Sequence, residues 1–303
     1  MAKAISNFHE LIASLSTRNE RKRVAVVWPE DESTQYSVGL ALDYGLIDVI
    51  CVGCERQVRS NEHLAPYAEH FSFVDAADRD EAARLSVQLV REGKADILMK
   101  GLINTDNLLR AVLDRQTGIL PEGRVLTHVT AATIPSYPKM LFFTDSAVIP
   151  YPTNAQRRQQ VMYVADVCRS FGIAEPRISL IHCTEKVSQK HFPFTVHYRE
   201  LAEAAQRGEF GPCIVDGPLD LKTSVSIESM RTKGIQSPIN GEADALVFPD
   251  IEAANVFYKT ITLFCDVETA GMLQGAMAPV VLPSRSDSKL CKFYSLALAI
   301  ISC

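Results

Sequence analysis

The chain lacks the short motifs that mark common nucleotide and hydrolase chemistries. No GxxxxGK(S/T) loop is present to cradle a nucleoside triphosphate, and no GxGxxG follows a predicted strand. HExxH and GxSxG are also missing, which points away from zincin and serine-hydrolase mechanisms. His128, His182, His191 and His197 do not fall at paired helical ligand spacing, so each reads as a packed or surface histidine. No excess of positive charge exists to attract nucleic acid or an anionic membrane, because the net charge is −5. An anionic ligand must therefore be met by local positive charge. The basic run Arg18, Arg21, Lys22 and Arg23 reads as a solvated helix end before the first strand. Long apolar runs are lacking too. The stretch 296–301 is far too short to span a bilayer, and residues 1–16 carry neither a long apolar core nor a cleavage pattern. These absences predict a cytoplasmic protein with no membrane and no nucleic-acid partner.

Cysteine is present but unpatterned. Eight residues are scattered, and Cys51 and Cys54 form a lone CxxC with no second Cys or His pair at zinc-finger spacing. Structural thiols in a reducing compartment are the expectation, with no bound metal.

What is there is a globular pattern. A chain of 303 residues, 47% hydrophobic and 22% charged, can bury a large core and is expected to make two domains. Short β-rich runs alternate with longer helical ones. Strands are predicted at 24–28, 48–52, 96–99, 125–133, 140–143, 178–181, 213–215, 245–248 and 279–282. Helices are predicted at 34–44, 80–92, 105–114, 154–171, 195–207, 224–233, 253–264 and 290–301. Such alternation implies an α/β fold with mostly parallel sheets and crossover helices.

Several strand ends carry polar residues: Lys100-Gly101, Thr144-Asp145-Ser146, Asp216-Gly217-Pro218 and Ser284-Arg285. Ligands in open α/β sheets sit beyond the carboxyl ends of strands, so these clusters are the candidate site walls. The cluster Ser284, Arg285, Ser286, Asp287 and Ser288 is the most informative. It follows an apolar run and precedes the tail helix, where free N–H groups and the dipole favour an anion. The guanidinium of Arg285 would grip phosphate or carboxylate bidentately. Ser and Asp here are equally what a simple helix cap requires.

The segments MKGLINTDNLLR (99–110), YPKMLFFTDSA (137–147), DGPL (216–219), SPINGEADALVFPDIEAA (237–254), NVFYKT (255–260) and GMLQGAMAP (271–279), closed by Ser284-Arg285, occur in order along nearly the whole chain. Together they resemble the phosphate acetyl/butyryl transferase family, the butyryl branch more than the acetyl branch. The resemblance implies two α/β domains with mostly parallel sheets and an active-site cleft between them. Residues 1–123 with 274–303 would form the first and 124–273 the second, which is expected to dimerise. It also implies reversible acyl transfer from acyl-CoA, such as butyryl-CoA, to orthophosphate, giving acyl phosphate and CoA. CoA is a substrate in that reaction, with no metal or covalently bound cofactor, and a homodimer or higher homo-oligomer is implied.

The resemblance carries over Ser284 and Arg285 as catalytic residues and Arg110 as a substrate-binding arginine. Thr105, Lys100 and Gly101 are candidate phosphate or CoA contacts, with Thr105 also a candidate helix cap. Asp145 and Asp287 are the candidates for a base or orienting group. Two features depart from the acetyl pattern. Cys291 stands where acetyl enzymes carry an acidic base seven positions after the serine, and the segment before the Lys100 strand is shortened. The rival expectations are a phosphate acetyltransferase, a non-catalytic acyl-CoA-sensing domain, and a bare relative of the decarboxylating-dehydrogenase fold.

Overall fold

The computed structural model describes residues 4–18, 20–53, 55–284 and 287–303. Arg285, Ser286 and Cys54 thus lie outside the described residues. The chain divides into two compact units, Met1–Asn7 with Thr127–Glu268 and Phe8–Leu126 with Thr269–Cys303.

In chain order, residues 8–126 form α1 (Phe8–Ser16), β1 (Lys22–Val27), α2 (Glu32–Asp43), β2 (Ile47–Val52), α3 (Glu55–Arg59), β3 (Phe71–Val74), α4 (Arg79–Arg91), β4 (Ile97–Lys100) and α5 (Thr105–Val112). A 3-10 turn, Ala65–His70, precedes β3. The middle of the chain forms β5 (Thr127–Thr133), β6 (Leu141–Thr144), α6 (Asn154–Ser170), β7 (Arg177–Ile181), α7 (Phe194–Gln206) and β8 (Ile214–Leu219). It continues through α8 (Leu221–Val225), α9 (Ile227–Lys233), β9 (Ala245–Val247) and α10 (Ile251–Phe264). The chain closes with β10 (Glu268–Gln274), β11 (Val280–Val281) and α11 (Lys289–Ile301).

Helix starts follow the cap rule. Asp31, Asp78, Thr153, Asp220, Asp250 and Ser288 each accept a hydrogen bond from a backbone N–H three residues on, opening α2, α4, α6, α8, α10 and α11. Thr153 and Gln156 complete a reciprocal capping box.

In the unit holding both chain segments 8–126 and 269–303, the strand order is β3-β2-β1-β4-β11-β10. Every pairing from β3 to β11 is parallel, and β10 runs antiparallel to β11. The chain builds outward from β1 through β2 to β3, then crosses to β4 on the other side of β1. That reversal makes the carboxyl ends of β1 and β4 a topological switch point, where a crevice opens. Packed against this sheet, α11 is buried from Lys292 through Ile301, and the Tyr294 ring stacks on Phe8 at 4.4 Å. Each such large apolar side chain contributes about 1.5–3 kcal/mol on burial.

The other unit has the order β5-β6-β9-β7-β8, with β5 antiparallel to β6 and the remaining pairs parallel. Phe143, Leu246, Phe248 and Ile261 belong to its core, with Phe143 edge-on to Phe248.

Three sequence expectations change. The helix expected over 224–233 is two helices, because Ser226 adopts extended dihedrals and caps α9 by accepting from the Ser229 N–H. Asp216-Gly217-Pro218 is not a strand-end cluster but the middle of β8. Proline is tolerated there because β8 is an edge strand, and Asp216 accepts from the Ser237 hydroxyl. Finally, α3, β3 and β10 add elements that the sequence reading passed over.

Candidate functional site

The switch point gathers most of the expected residues of its unit. Lys100 is the last residue of β4, and Pro283-Ser284 follows β11, which pairs directly with β4. Lys100 is only 5% exposed, and its Nζ donates to the Pro283 carbonyl at 3.5 Å. Among the described residues, a cavity of about 190 Å³ is lined by Lys100, Gly101, Ser284, Asp31, Ser33 and Lys292, with Leu102, Ile103 and Pro283 as apolar wall. A second cavity of about 340 Å³ shares Lys100, Ile103, Pro283 and Ser284 and adds Asn104 and Thr105.

Each residue reaches this place for a local reason. Gly101 turns the chain under the end of β1, where a Cβ would come within 2.5 Å of the Val27 and Trp28 carbonyl oxygens. Its N–H is spent on Val27 O at 2.9 Å, so glycine serves here by close backbone approach. Thr105 is the first residue of α5 and not its cap. The cap position is Asn104, whose side chain makes no capping bond. The amino end of α5, at Asn104 and Thr105, therefore lines the second cavity, and a helix amino end with its N–H groups favours an anion. Ser284 is exposed and held by its backbone. Its N–H donates to Asp287 Oδ2 at 2.7 Å, and the Asp287 N–H returns to the Ser284 carbonyl at 3.2 Å. Asp287 thus braces the serine. Ser288, two residues before Leu290, caps α11 through the Cys291 N–H at 3.0 Å.

Arg110 lies on the exposed side of α5 and lines neither cavity. Asp145 belongs to the other unit. It is 3% exposed, and it accepts from the N–H groups of Ala147, Val148 and Ile149 at 3.0, 3.0 and 3.1 Å and from the Thr127 hydroxyl at 2.8 Å. Four donors on one carboxylate describe the cap of a turn. Cys291 is half-buried, and burial pushes its thiol up to about 11, which disfavours a thiolate there. Burial likewise raises Cys51 to about 12, in keeping with a structural thiol.

Sequence reasoning missed Asp31, Ser33 and Lys292. An aspartate before a helix reads as a cap, which Asp31 is. Burial pushes the Asp31 pKa up, but hydrogen bonds from Ser33 and Thr34 and the Lys292 charge outweigh it and hold the carboxyl below its ordinary value. Lys292 had a legible signal. A lysine followed by Phe293, Tyr294, Leu296 and Leu298 in one helix must be either buried with partners or at the helix edge.

Comparison with known proteins adds an independent line. The profile of the family described as phosphate acetyl/butaryl transferase matches residues 74–300. A phosphate butyryltransferase of Clostridium acetobutylicum is 36% identical over 298 residues, covering 98% of each chain. A phosphate acetyltransferase of Thermotoga maritima is 35% identical and covers 94% of this chain and 96% of its own. Among solved structures, a branched-chain phosphotransacylase from Enterococcus faecalis V583 superposes with a TM-score of 0.79 at 31% identity, covering 93% of this chain and 98% of that one.

Proposed function

Since the chain belongs to the phosphate acetyl/butyryl transferase family, we propose that it is an acyltransferase that moves a short acyl group, butyryl in the first place, from acyl-CoA to orthophosphate. The observation that carries this reading is a buried ammonium, Lys100, beside the Ser284 backbone turn and the amino end of α5 around one cavity. A phosphate oxygen attacks the thioester carbonyl, forming a C–O bond as negative charge gathers on the carbonyl oxygen. Collapse of that intermediate breaks the C–S bond and releases CoA as its thiolate, which then takes up a proton. Acyl phosphate is the other product. Lys100 and Arg285 hold the phosphate, and the α5 amino end adds its dipole. Ser284 donates a hydrogen bond to the carbonyl oxygen as the charge develops. Arg110, Thr105 and Gly101 complete the proposed substrate contacts, Arg110 at the outer end of α5 and Gly101 through the turn it permits. Asp287 orients Ser284, and Asp145 orients the turn after β6. A thiol pKa of roughly 8.5 lets the thiolate leave with little acid assistance, so positioning and electrostatics supply most of the acceleration.

Acyl preference is read directly. With phosphate present and free CoA detected by DTNB, kcat/KM is expected to be higher for butyryl-CoA than for acetyl-CoA by about 10–200-fold, the worth of a methylene step or two. A maximum at acetyl-CoA makes the enzyme a phosphate acetyltransferase. No release from any C2 to C6 acyl-CoA sinks the acyl-transfer reading.

A homodimer is part of the same proposal. Val256, Leu263 and Phe264 on α10 are 65%, 75% and 78% exposed, and Val256 and Leu263 share one helix face at seven-residue spacing. Replacing both Leu263 and Phe264 by glutamate is expected to halve the mass seen by light scattering. An unchanged mass removes α10 from any interface.

A further inference from the structure

Lys292 is charged, buried to 5% exposure, and unused by the chemistry above. It lines the same cavity of about 190 Å³ as Lys100 and Ser284. Its Nζ donates to the Ser33 hydroxyl, and it forms an ion pair with Asp31 Oδ1 at 3.6 Å, beyond direct hydrogen-bond length. Ser33 in turn donates to Asp31 Oδ1 at 2.6 Å. An ammonium has three donors, so this relay fixes the direction of the head group and leaves donor capacity toward the cavity.

A purely structural reading makes Lys292 a clamp between α11 and α2. That joint is already made elsewhere. The Ser37 hydroxyl donates to the Lys289 carbonyl at 3.1 Å, Lys289 pairs with Glu32, and the Lys289 ammonium lies 5.1 Å from the Tyr36 ring centroid. Charge count in the cavity supplies a better reason. Lys100 and Lys292 bring two positive charges, and among the described residues that line it Asp31 brings one negative. Two ammoniums on one small cavity repel. An entering dianion offsets both.

We infer that Lys292 is a second phosphate-binding lysine, oriented by Ser33 and Asp31, which with Lys100 forms a two-ammonium subsite for orthophosphate. This rests on the acyl-transfer reading for the identity of the anion, while its test does not need turnover. Inorganic phosphate is titrated into the full-length protein and into Lys292→Met and Ser33→Ala, followed by calorimetry and by the thermal midpoint. Lys292→Met is expected to weaken phosphate binding about tenfold or more, the loss of one charge-assisted contact. Ser33→Ala, which keeps the charge but frees its head group, is expected to weaken it by a smaller factor. In steady state the phosphate KM should rise by the same factor while the acyl-CoA KM stays within about twofold, a split that a clamp would not produce. Phosphate binding unchanged in Lys292→Met, or phosphate and acyl-CoA affinity falling together, overturns the inference. Should Lys292→Met fail to fold, Ser33→Ala decides it, and unchanged phosphate affinity there is likewise negative. Lys292-dependent phosphate binding in a protein that releases no CoA would uphold this subsite and reject the acyl-transfer reading.

Discussion

Ser284→Ala is expected to lower kcat by roughly 10²–10³-fold, the usual loss on removing one donor to a developing oxyanion. Little change in thermal midpoint should accompany it. Residue 284 is exposed, and its backbone N–H is held by the 2.7 Å bond to Asp287 Oδ2. That bond survives the substitution, so the turn and the wall of the cavity stay in place. Because the hydroxyl acts on the acyl carbonyl and not on free phosphate, the phosphate KM should move far less than kcat. Initial rates of CoA release under saturating phosphate, paired with a melting curve, check both halves. A variant with normal kcat removes Ser284 from the mechanism. A variant with a raised phosphate KM and normal kcat makes it a binding contact for phosphate instead.

The half of this site that could be read from sequence is the half carried by chain-local pattern. Lys100 and Ser284 stand at the ends of apolar runs, and a strand end in an alternating α/β pattern locates itself. The α11 boundary was legible for the same reason, with Ser288 as cap and ten consecutive buried residues from Lys292 onward. Asp31 and Ser33 were not legible because they join the site through sheet order. β1 neighbours β4 across a crossover of some seventy residues, and no local pattern encodes that adjacency. Thr105 illustrates a one-position limit. A threonine after asparagine reads as a cap, yet Asn104 holds the extended cap dihedrals and Thr105 already belongs to the helix. Within β8, Gly217 and Pro218 argued against a strand, and only the edge position makes them acceptable. The split at Ser226 has the same character. A serine can sit in a helix or start one, and here the Ser229 N–H decides for the cap.

Asp145→Ala is expected to be among the most destabilising single changes in its unit. Four donors converge on the carboxylate, three of them backbone N–H groups of the turn after β6, and the site is almost closed to water. A buried donor left unpaired costs about 1–3 kcal/mol, so even with partial repair by water the loss should reach about 3–5 kcal/mol. Against a total stability of about 5–15 kcal/mol this is a drop of about 10 °C or more in melting temperature. Asp145→Asn separates the structural role from a chemical one. Its Oδ1 can still accept from Ala147 and Val148, and the Thr127 hydroxyl can turn to accept from the new amide group. Only the Ile149 N–H then faces a donor. The Asn variant should therefore melt between wild type and Asp145→Ala. A turn cap needs acceptors but no titratable proton, so the folded Asn variant should keep its kcat within a few-fold of wild type. A general base needs the proton, and its amide replacement would cost about 10²–10⁴-fold. A loss of that size at unchanged melting temperature would move Asp145 from the scaffold into the chemistry, whereas a stability loss with kcat retained leaves Asp287 as the remaining one of the two candidates, and that one acts through the serine's backbone.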